Sequence, residues 1–317
     1  MKYLFDPSIL GNFKRRLIGR MSTMKIGLIG LGNMGGRIAK HLMKQGNELH
    51  LYDVNTELLE HFESIGAKIA NSPKALASEN KYVITVLPNA EIVKQVVSGE
   101  EGLITGFKPG SILIDMTSSI PEVTKNISKE LEEQSVRMLD APVSGGVKRA
   151  EKGTLTIMVG GNEEAFSEAF PIFDMIGSNT MHVGDSGAGH TIKALNNMIS
   201  ATTLSVTLEA LAAGIKLGLD PYKMLKVINS STGKSNSSEN KVAQQVLSGK
   251  YEGGFTLDLM YKDLTTAMEI TDHAKVPAAV SNSVYQLWEY ASSQEHGNKV
   301  DHTVIAKIIE KIADVKF

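Results

Sequence analysis

The chain has no cysteine in 317 residues, which excludes disulfides, thiol nucleophiles and thiolate metal sites and fits a reducing, cytoplasmic setting. None of its eight histidines stands in His-x-x-x-His spacing, so no metal is expected. Charge of one sign is scarce too. The formal net charge of -2 leaves no global attraction for nucleic acid or an anionic membrane, and neither is expected as a partner. No apolar run approaches the roughly 20 residues that span a bilayer, so a soluble protein is expected.

What is present is ordinary globular composition, 42% hydrophobic and 21% charged, in a chain longer than a usual single domain, which predicts two domains. Lys14, Arg15, Arg16 and Arg20 precede Met21 and Met24 in a leader that lacks an apolar core and carries Asp6. Residues 1–23 are read as a weakly structured extension, with an organelle presequence as the competing reading.

From Lys25 onward short apolar runs alternate with helical stretches. Ile26-Gly27-Leu28-Ile29, Leu49-His50-Leu51-Tyr52, Tyr82-Val83-Ile84-Thr85-Val86 and Ser111-Ile112-Leu113-Ile114 read as strands, with further candidates at 136–139, 155–159 and 181–183. Their apolar runs are continuous rather than alternating, as in strands buried on both faces of a parallel sheet. From about 187 the texture becomes helical only. A long helix is predicted over 191–217, interrupted by Gly214 and followed by Gly218 and by Asp220-Pro221 opening the next one. The predicted organisation is an α/β, doubly wound dinucleotide-binding domain over 24–187 and an all-α substrate and oligomerisation domain over 188–317, joined by the long helix. The serine-rich stretch 230–238 reads as a polar loop.

Gly30-Leu31-Gly32-Asn33-Met34-Gly35 follows a strand and opens a helix near Met34. Gly30 permits the tight turn, Gly32 lets a pyrophosphate approach the backbone, and Gly35 allows the helix to pack on the strand. Asp53, at the end of the second strand, lies at the expected distance for a carboxylate that holds the ribose hydroxyls and repels a 2'-phosphate. NAD is therefore expected over NADP, although Lys68 offers a base that would suit the phosphate. Leu87-Pro88-Asn89 and Thr117-Ser118 leave the carboxyl ends of parallel strands, where loops face the ligand crevice.

On the substrate side, Asp140-Ala141-Pro142-Val143-Ser144-Gly145-Gly146 ends in a turn whose backbone N–H groups and hydroxyl suit a carboxylate; an ordinary turn has the same composition. Lys193 and Asn197, four apart, stack on one face of the long helix beside apolar Ile192, Leu195 and Ile199. A polar pair in such company reads as an acid/base and its orienting partner. His190 on the same face is a candidate perturber of the lysine, or a structural neighbour of the helix start. Lys262-Asp263 reads as a solvated helix pair, and Lys234 in the polar stretch as a group able to meet a second anion on a substrate, or as part of a solvated loop.

Taken in order, the glycine fingerprint, the Asp140 to Gly146 block, Gly187-Ala188-Gly189-His190-Thr191-Ile192-Lys193 with Asn196-Asn197, and Lys262-Asp263-Leu264 resemble the beta-hydroxyacid dehydrogenase family from about Lys25 to Glu310. The resemblance implies a Rossmann-type domain and a helical domain that forms dimers or tetramers. It also implies an oxidoreductase that moves hydride between nicotinamide and a small beta-hydroxy acid or semialdehyde. It assigns Lys193 to catalysis with Asn197, and substrate binding to Ser144, Gly145, Gly146 and Asn197. Leu87, Pro88 and Ser118 are assigned to the dinucleotide, with Lys262 closing over it; Asn89, in the same crevice-facing loop, is a further cofactor-binding candidate by position. It leaves 3-hydroxyisobutyrate, tartronate semialdehyde, hydroxymethylglutarate, threonate and sulfolactaldehyde-type substrates open. A 6-phosphogluconate dehydrogenase-like enzyme shares part of the pattern but is longer and takes NADP. Imine reductases usually replace the lysine. A non-catalytic nucleotide sensor on the same fold is the alternative from another class.

Overall fold

The computed structural model describes residues 23–294 and 300–317; the expectation for residues 1–22 lies outside them. The first half builds one nine-stranded sheet: β1 (Lys25–Ile29), β2 (Glu48–Tyr52), β3 (Lys68–Ile69), β4 (Tyr82–Thr85), β5 (Ile112–Asp115), β6 (Arg137–Asp140), β7 (Val143–Ser144), β8 (Leu155–Gly161) and β9 (Gly177–Gly184). Their order is β3-β2-β1-β4-β5-β6-β8-β7, with β9 beside β8. From β3 to β6 every pairing is parallel, β8 runs antiparallel to β6 and β7, and β9 runs parallel to β8. This doubly wound order reverses between β1 and β4, where a ligand crevice opens at the carboxyl ends of the strands.

Helices cover both faces: α1 (Gly35–Lys44), α2 (Thr56–Ser64), α3 (Pro73–Glu79), α4 (Ala90–Ser98), α5 (Pro121–Glu132), α6 (Gly146–Lys152) and α7 (Glu163–Ile176). The two faces are visible within one strand. Ile112 and Ile114 of β5 join one core with Ile38, Leu42 and Phe62, while Leu113 joins the other with Val93, Val97 and Leu131, as a period of two requires. All four residues of β5 are buried. Two short strands were not expected from the sequence, β3 and β7; two residues each are too few to carry a period.

The second half is helical: α8 (Ala188–Lys216), α9 (Pro221–Asn229), a π-helical segment (Ser237–Val246), α10 (Leu257–His273), α11 (Ala279–Gln294) and α12 (Ile305–Ala313). Leu204, Leu208 and Leu211 of α8 pack with Leu257, Met260, Leu264, Trp288 and Ile309 in a third core. Three expectations change here. The long helix starts at Ala188, ahead of the predicted 191, and Gly214 stays inside it, where Met224 packs against its bare Cα. The polar stretch 230–238 is an exposed loop through Lys234, as expected, but it then runs into the π-helical segment, whose Ser237 and Ser238 are fully buried. Finally, α8 is long and apolar enough by length and composition to cross a membrane, a test that no run in the sequence was expected to meet. Its inward residues pack into the helical core instead.

Candidate active site

The fingerprint occupies the turn from β1 into α1. Gly30 has φ 96° and a Cβ there would run into the carbonyl oxygen of Val86; a Cβ on Gly35 would run into that of Gly30. Gly32 differs, with nothing within 4 Å of where its Cβ would stand. Gly30 and Gly35 therefore let the chain pack on itself, and Gly32 leaves backbone open to an incoming group. Asn33 is exposed and Met34 is half-buried. Met34 is the N-cap of α1 and makes no side-chain capping bond, so the helix start keeps donors and positive potential for an anion. These features fit a dinucleotide pyrophosphate.

Asp53 closes this rim. Its Oδ2 accepts from Leu31 N at 2.6 Å and its Oδ1 from Asn55 N at 2.8 Å, and each oxygen retains a further lone pair. Lys68, the alternative phosphate partner, is engaged with Glu48 at 2.8 Å. Across the switch point, Leu87 N donates to Thr117 Oγ1 at 3.0 Å, and Thr85 Oγ1 and Thr117 N both donate to Asp115 Oδ1, at 2.9 and 3.1 Å. Buried Asp115 thus shapes both loops, a role the sequence reading missed. Pro88 is exposed. The Asn89 side chain caps α4 by accepting from Ile92 N at 2.9 Å, so its carbonyl oxygen serves the fold at the position proposed for cofactor contact.

Lys193 is 9% and Asn197 7% exposed, so this polar pair faces the interior. Lys193 Nζ donates to Val143 O at 2.9 Å, setting the ammonium against the Ser144-Gly145-Gly146 turn. Gly145 and Gly146 have φ 128° and 68°, a backbone that L side chains rarely adopt, and both are exposed. Burial pushes the Lys193 ammonium below its ordinary range; Asp263 opposes that shift and Lys262 adds to it.

The partner of Asn197 is Asp263, whose Oδ2 accepts from Asn197 Nδ2 at 2.5 Å. Asp263 is 4% exposed, so the expectation of a solvated Lys262-Asp263 pair is corrected. Met260, Leu264 and Ala267 of the same helix are buried and carry Asp263 inward beside them. Lys262 Nζ lies 3.2 Å from Asp263 Oδ1 and donates to Ser118 O at 2.5 Å, reaching from α10 to the loop after β5. Ser118, Lys262, Asp263 and Asn197 form one polar chain between the two halves.

His190 does not act on Lys193. Its Nδ1 pairs with Thr124 Oγ1 at 2.7 Å, and its ring lies between Asp115 and Asp140, at 3.9 and 4.0 Å. Asp140 anchors the helix that carries the lysine: its oxygens accept from Gly187 N at 2.8 Å and His190 N at 2.9 Å, and burial raises its carboxyl above the ordinary range. Gly189 is required here, because a Cβ would meet Asp140 O and Met158 O, both at 2.5 Å.

Lys234 forms an ion pair with Glu239 at 2.7 Å with its side chain half exposed, and no hydrogen bond or ion pair joins it to Lys193 or Asn197. A second cation of this region, half-buried, is Lys241. Its Nζ donates to Ser200 Oγ at 2.8 Å, and burial lowers its pKa to about 8, with Asp301 opposing and Lys193 adding. Nothing in its local sequence marked it.

Residues 25–184 match the family described as the NAD binding domain of 6-phosphogluconate dehydrogenase, and 187–309 the family described as NAD-binding of NADP-dependent 3-hydroxyisobutyrate dehydrogenase. The chain is 36% identical to the 2-(hydroxymethyl)glutarate dehydrogenase of Eubacterium barkeri over 92% of this chain and 97% of that relative. It is 38% identical to the mitochondrial 3-hydroxyisobutyrate dehydrogenase of Mus musculus over 88% and 85% of the two chains. The structure of the Mycobacterium tuberculosis 3-hydroxyisobutyrate dehydrogenase with L-serine superposes with TM-score 0.83 at 26% identity, over 90% of this chain and 99% of that one. Fold and site define a nicotinamide-dinucleotide oxidoreductase that acts on a hydroxyl group. The chain belongs to the beta-hydroxyacid dehydrogenase family, with the 3-hydroxyisobutyrate dehydrogenases among its relatives.

Proposed function

We propose that the protein interconverts a small 3-hydroxy acid and its semialdehyde, with NAD as the cofactor and Lys193 as general acid/base. The observation that carries this reading is the buried Lys193 ammonium held at 2.9 Å from Val143 O, one residue from the Ser144-Gly145-Gly146 turn. An ordinary lysine near 10.4 is a poor base at neutral pH, and burial beside Lys262 moves this one toward its task.

When bound, the nicotinamide supplies the hydride acceptor for oxidation and the hydride donor for reduction. In oxidation the neutral Lys193 amine takes the hydroxyl proton; in reduction the ammonium returns a proton to the forming alkoxide. The substrate carboxylate is held by the Ser144 hydroxyl and the backbone N–H groups of Gly145 and Gly146. Asn197, its amide fixed by Asp263, orients the hydroxyl next to Lys193. The Asp53 carboxylate at the end of β2 supports NAD over NADP, because a 2'-phosphate would meet a like charge there. Self-association as a dimer or tetramer is supported by Ile192, Ile199 and Val206, exposed at 40, 61 and 55% and seven residues apart on α8.

The test is an absorbance assay of the purified protein with NADH and NADPH against a panel of small semialdehyde acids, repeated with Lys193→Ala. The expected result is turnover with NADH that falls by a factor on the order of 100 or more in the variant while NADH binding persists. Silence across the panel would favour a nucleotide sensor, and substantial activity in the variant would remove Lys193 from the acid/base role.

A further inference from the structure

Ser200 follows Lys193 and Asn197 on α8 at steps of four and three, so the three side chains share one strip of the helix. The π-helical segment docks on the end of that strip. Ser237 Oγ donates to Ser200 O at 3.3 Å and meets Thr203 Oγ1 at 3.1 Å, and Lys241 Nζ donates to Ser200 Oγ at 2.8 Å. Lys241 therefore lies beyond Asn197, at the end of the strip away from the Val143 carbonyl.

Its charge is not neutralised there. Among the described residues no carboxylate lies within 4.0 Å of Lys241 Nζ. The acid that acts on it from farther off, Asp301, has its Oδ1 engaged by Thr303 N and Thr303 Oγ1 and its Oδ2 by Gly254 N. His302, packed beside Asp301, is pushed down by its own burial and further by the Lys241 charge. Among the described residues the acids that act on Lys193 and Lys241 are Asp263 and Asp301, and Asp263 also pairs with Lys262, so three cations share two carboxylates. A half-buried charge without a carboxylate partner carries a desolvation cost, and an anionic ligand would relieve it.

Resting on the reading of Lys193 and the Ser144 turn given above, we propose that Lys241 anchors a second carboxylate at the far end of the substrate, so that the substrate class is a short hydroxy-dicarboxylate. The first carboxylate sits at Ser144-Gly145-Gly146, the reacting carbon at Lys193, and the second carboxylate replaces Ser200 as the acceptor of the Lys241 ammonium. Lys234, already paired with Glu239, is not that anchor.

The probes are glutarate and butyrate, which share a chain and differ in the second carboxylate, bound to the full-length protein saturated with whichever of NADH and NADPH it takes. Titration calorimetry of the wild type is expected to show glutarate binding about tenfold tighter than butyrate, the value of one charge-assisted hydrogen bond. In Lys241→Met the ratio should collapse to within about twofold, and in Lys241→Arg most of it should return. Methionine removes a half-buried charge that has no carboxylate partner, so the variant is expected to melt no lower than the wild type. A wild type that binds glutarate no tighter than butyrate, or not at all, overturns the proposal, as does a preference that survives in Lys241→Met. Binding needs no turnover, so failure of the Lys193 assignment would leave this result readable.

Discussion

Asn197 on α8 and Asp263 on α10 are joined by a 2.5 Å hydrogen bond from Nδ2 to Oδ2, and the same carboxylate holds Lys262 at 3.2 Å. One acid thus holds the Asn197 amide and tempers the charge of the lysine that crosses to the nucleotide half. Asp263 also favours the ammonium form of Lys193, which makes the pH profile the sensitive readout. Asp263→Asn should lower the pKa of Lys193 further, so the limb of the oxidation profile that reports its deprotonation moves to lower pH. KM should rise as Asn197 loses its fixed geometry. A limb that stays in place would show that Asp263 acts on Asn197 alone.

Asp53→Ala removes the charge that would oppose a 2'-phosphate and also the acceptor for Leu31 N at 2.6 Å. Two effects are expected together. The ratio of kcat/KM for NAD over NADP should narrow, and thermal stability should fall by about 1 kcal/mol for the lost hydrogen bond. A wild type that already prefers NADPH would show that Asp53 does not select the cofactor.

Asp140 accepts from two backbone donors at the start of α8 in a fully buried setting. Asp140→Ala leaves both without an acceptor and should cost about 2–4 kcal/mol in urea denaturation, the range for a lost cap plus buried unsatisfied donors. Asp140→Asn keeps one acceptor oxygen and should cost less. Equal losses would mean that the carboxylate charge, rather than its hydrogen bonds, holds the helix.

A pH titration separates the two anion sites. Desolvation lowers the Lys241 pKa to about 8, with Asp301 raising and Lys193 lowering it further, and Ser200 and His302 are its other polar neighbours. A lysine with a depressed pKa is charged below that value and neutral above it. Glutarate affinity should therefore fall as pH rises through about 8, and the ratio of glutarate to butyrate affinity should fall with it. A constant ratio across that window would remove Lys241 from the distal site.

The parts of this site that could be read in the sequence are those dictated by backbone constraints or helical spacing. The glycines at 30, 32 and 35 are set by close approach, and Lys193 with Asn197 by a four-residue step among apolar neighbours. What escaped depends on contacts distant in the chain. The three-residue error at the start of α8 arose because Gly187-Ala188-Gly189 reads as a helix breaker. The acceptor that allows the helix to begin there, Asp140, lies 47 and 50 residues away from its donors. His190 similarly finds Thr124 at a separation of 66. Asp263 stood next to the buried stripe of α10 and was within reach of a stricter periodic reading. Lys241 was not, because a π-helical turn departs from the 3.6 period by which a face is recognised.

The grip of Asp140 on Gly187 and His190 has a mechanical consequence. The helix is 29 residues long, about 43 Å at 1.5 Å per residue, and its first turn is bolted to the nucleotide half, whereas its later turns belong to the helical core. The place where the two families of sequence meet, between 184 and 187, is therefore not the place where the molecule would bend. Any swing of one half against the other has to flex the rod beyond His190, and Lys193, one turn past the bolt, travels with the nucleotide floor rather than with the helical roof.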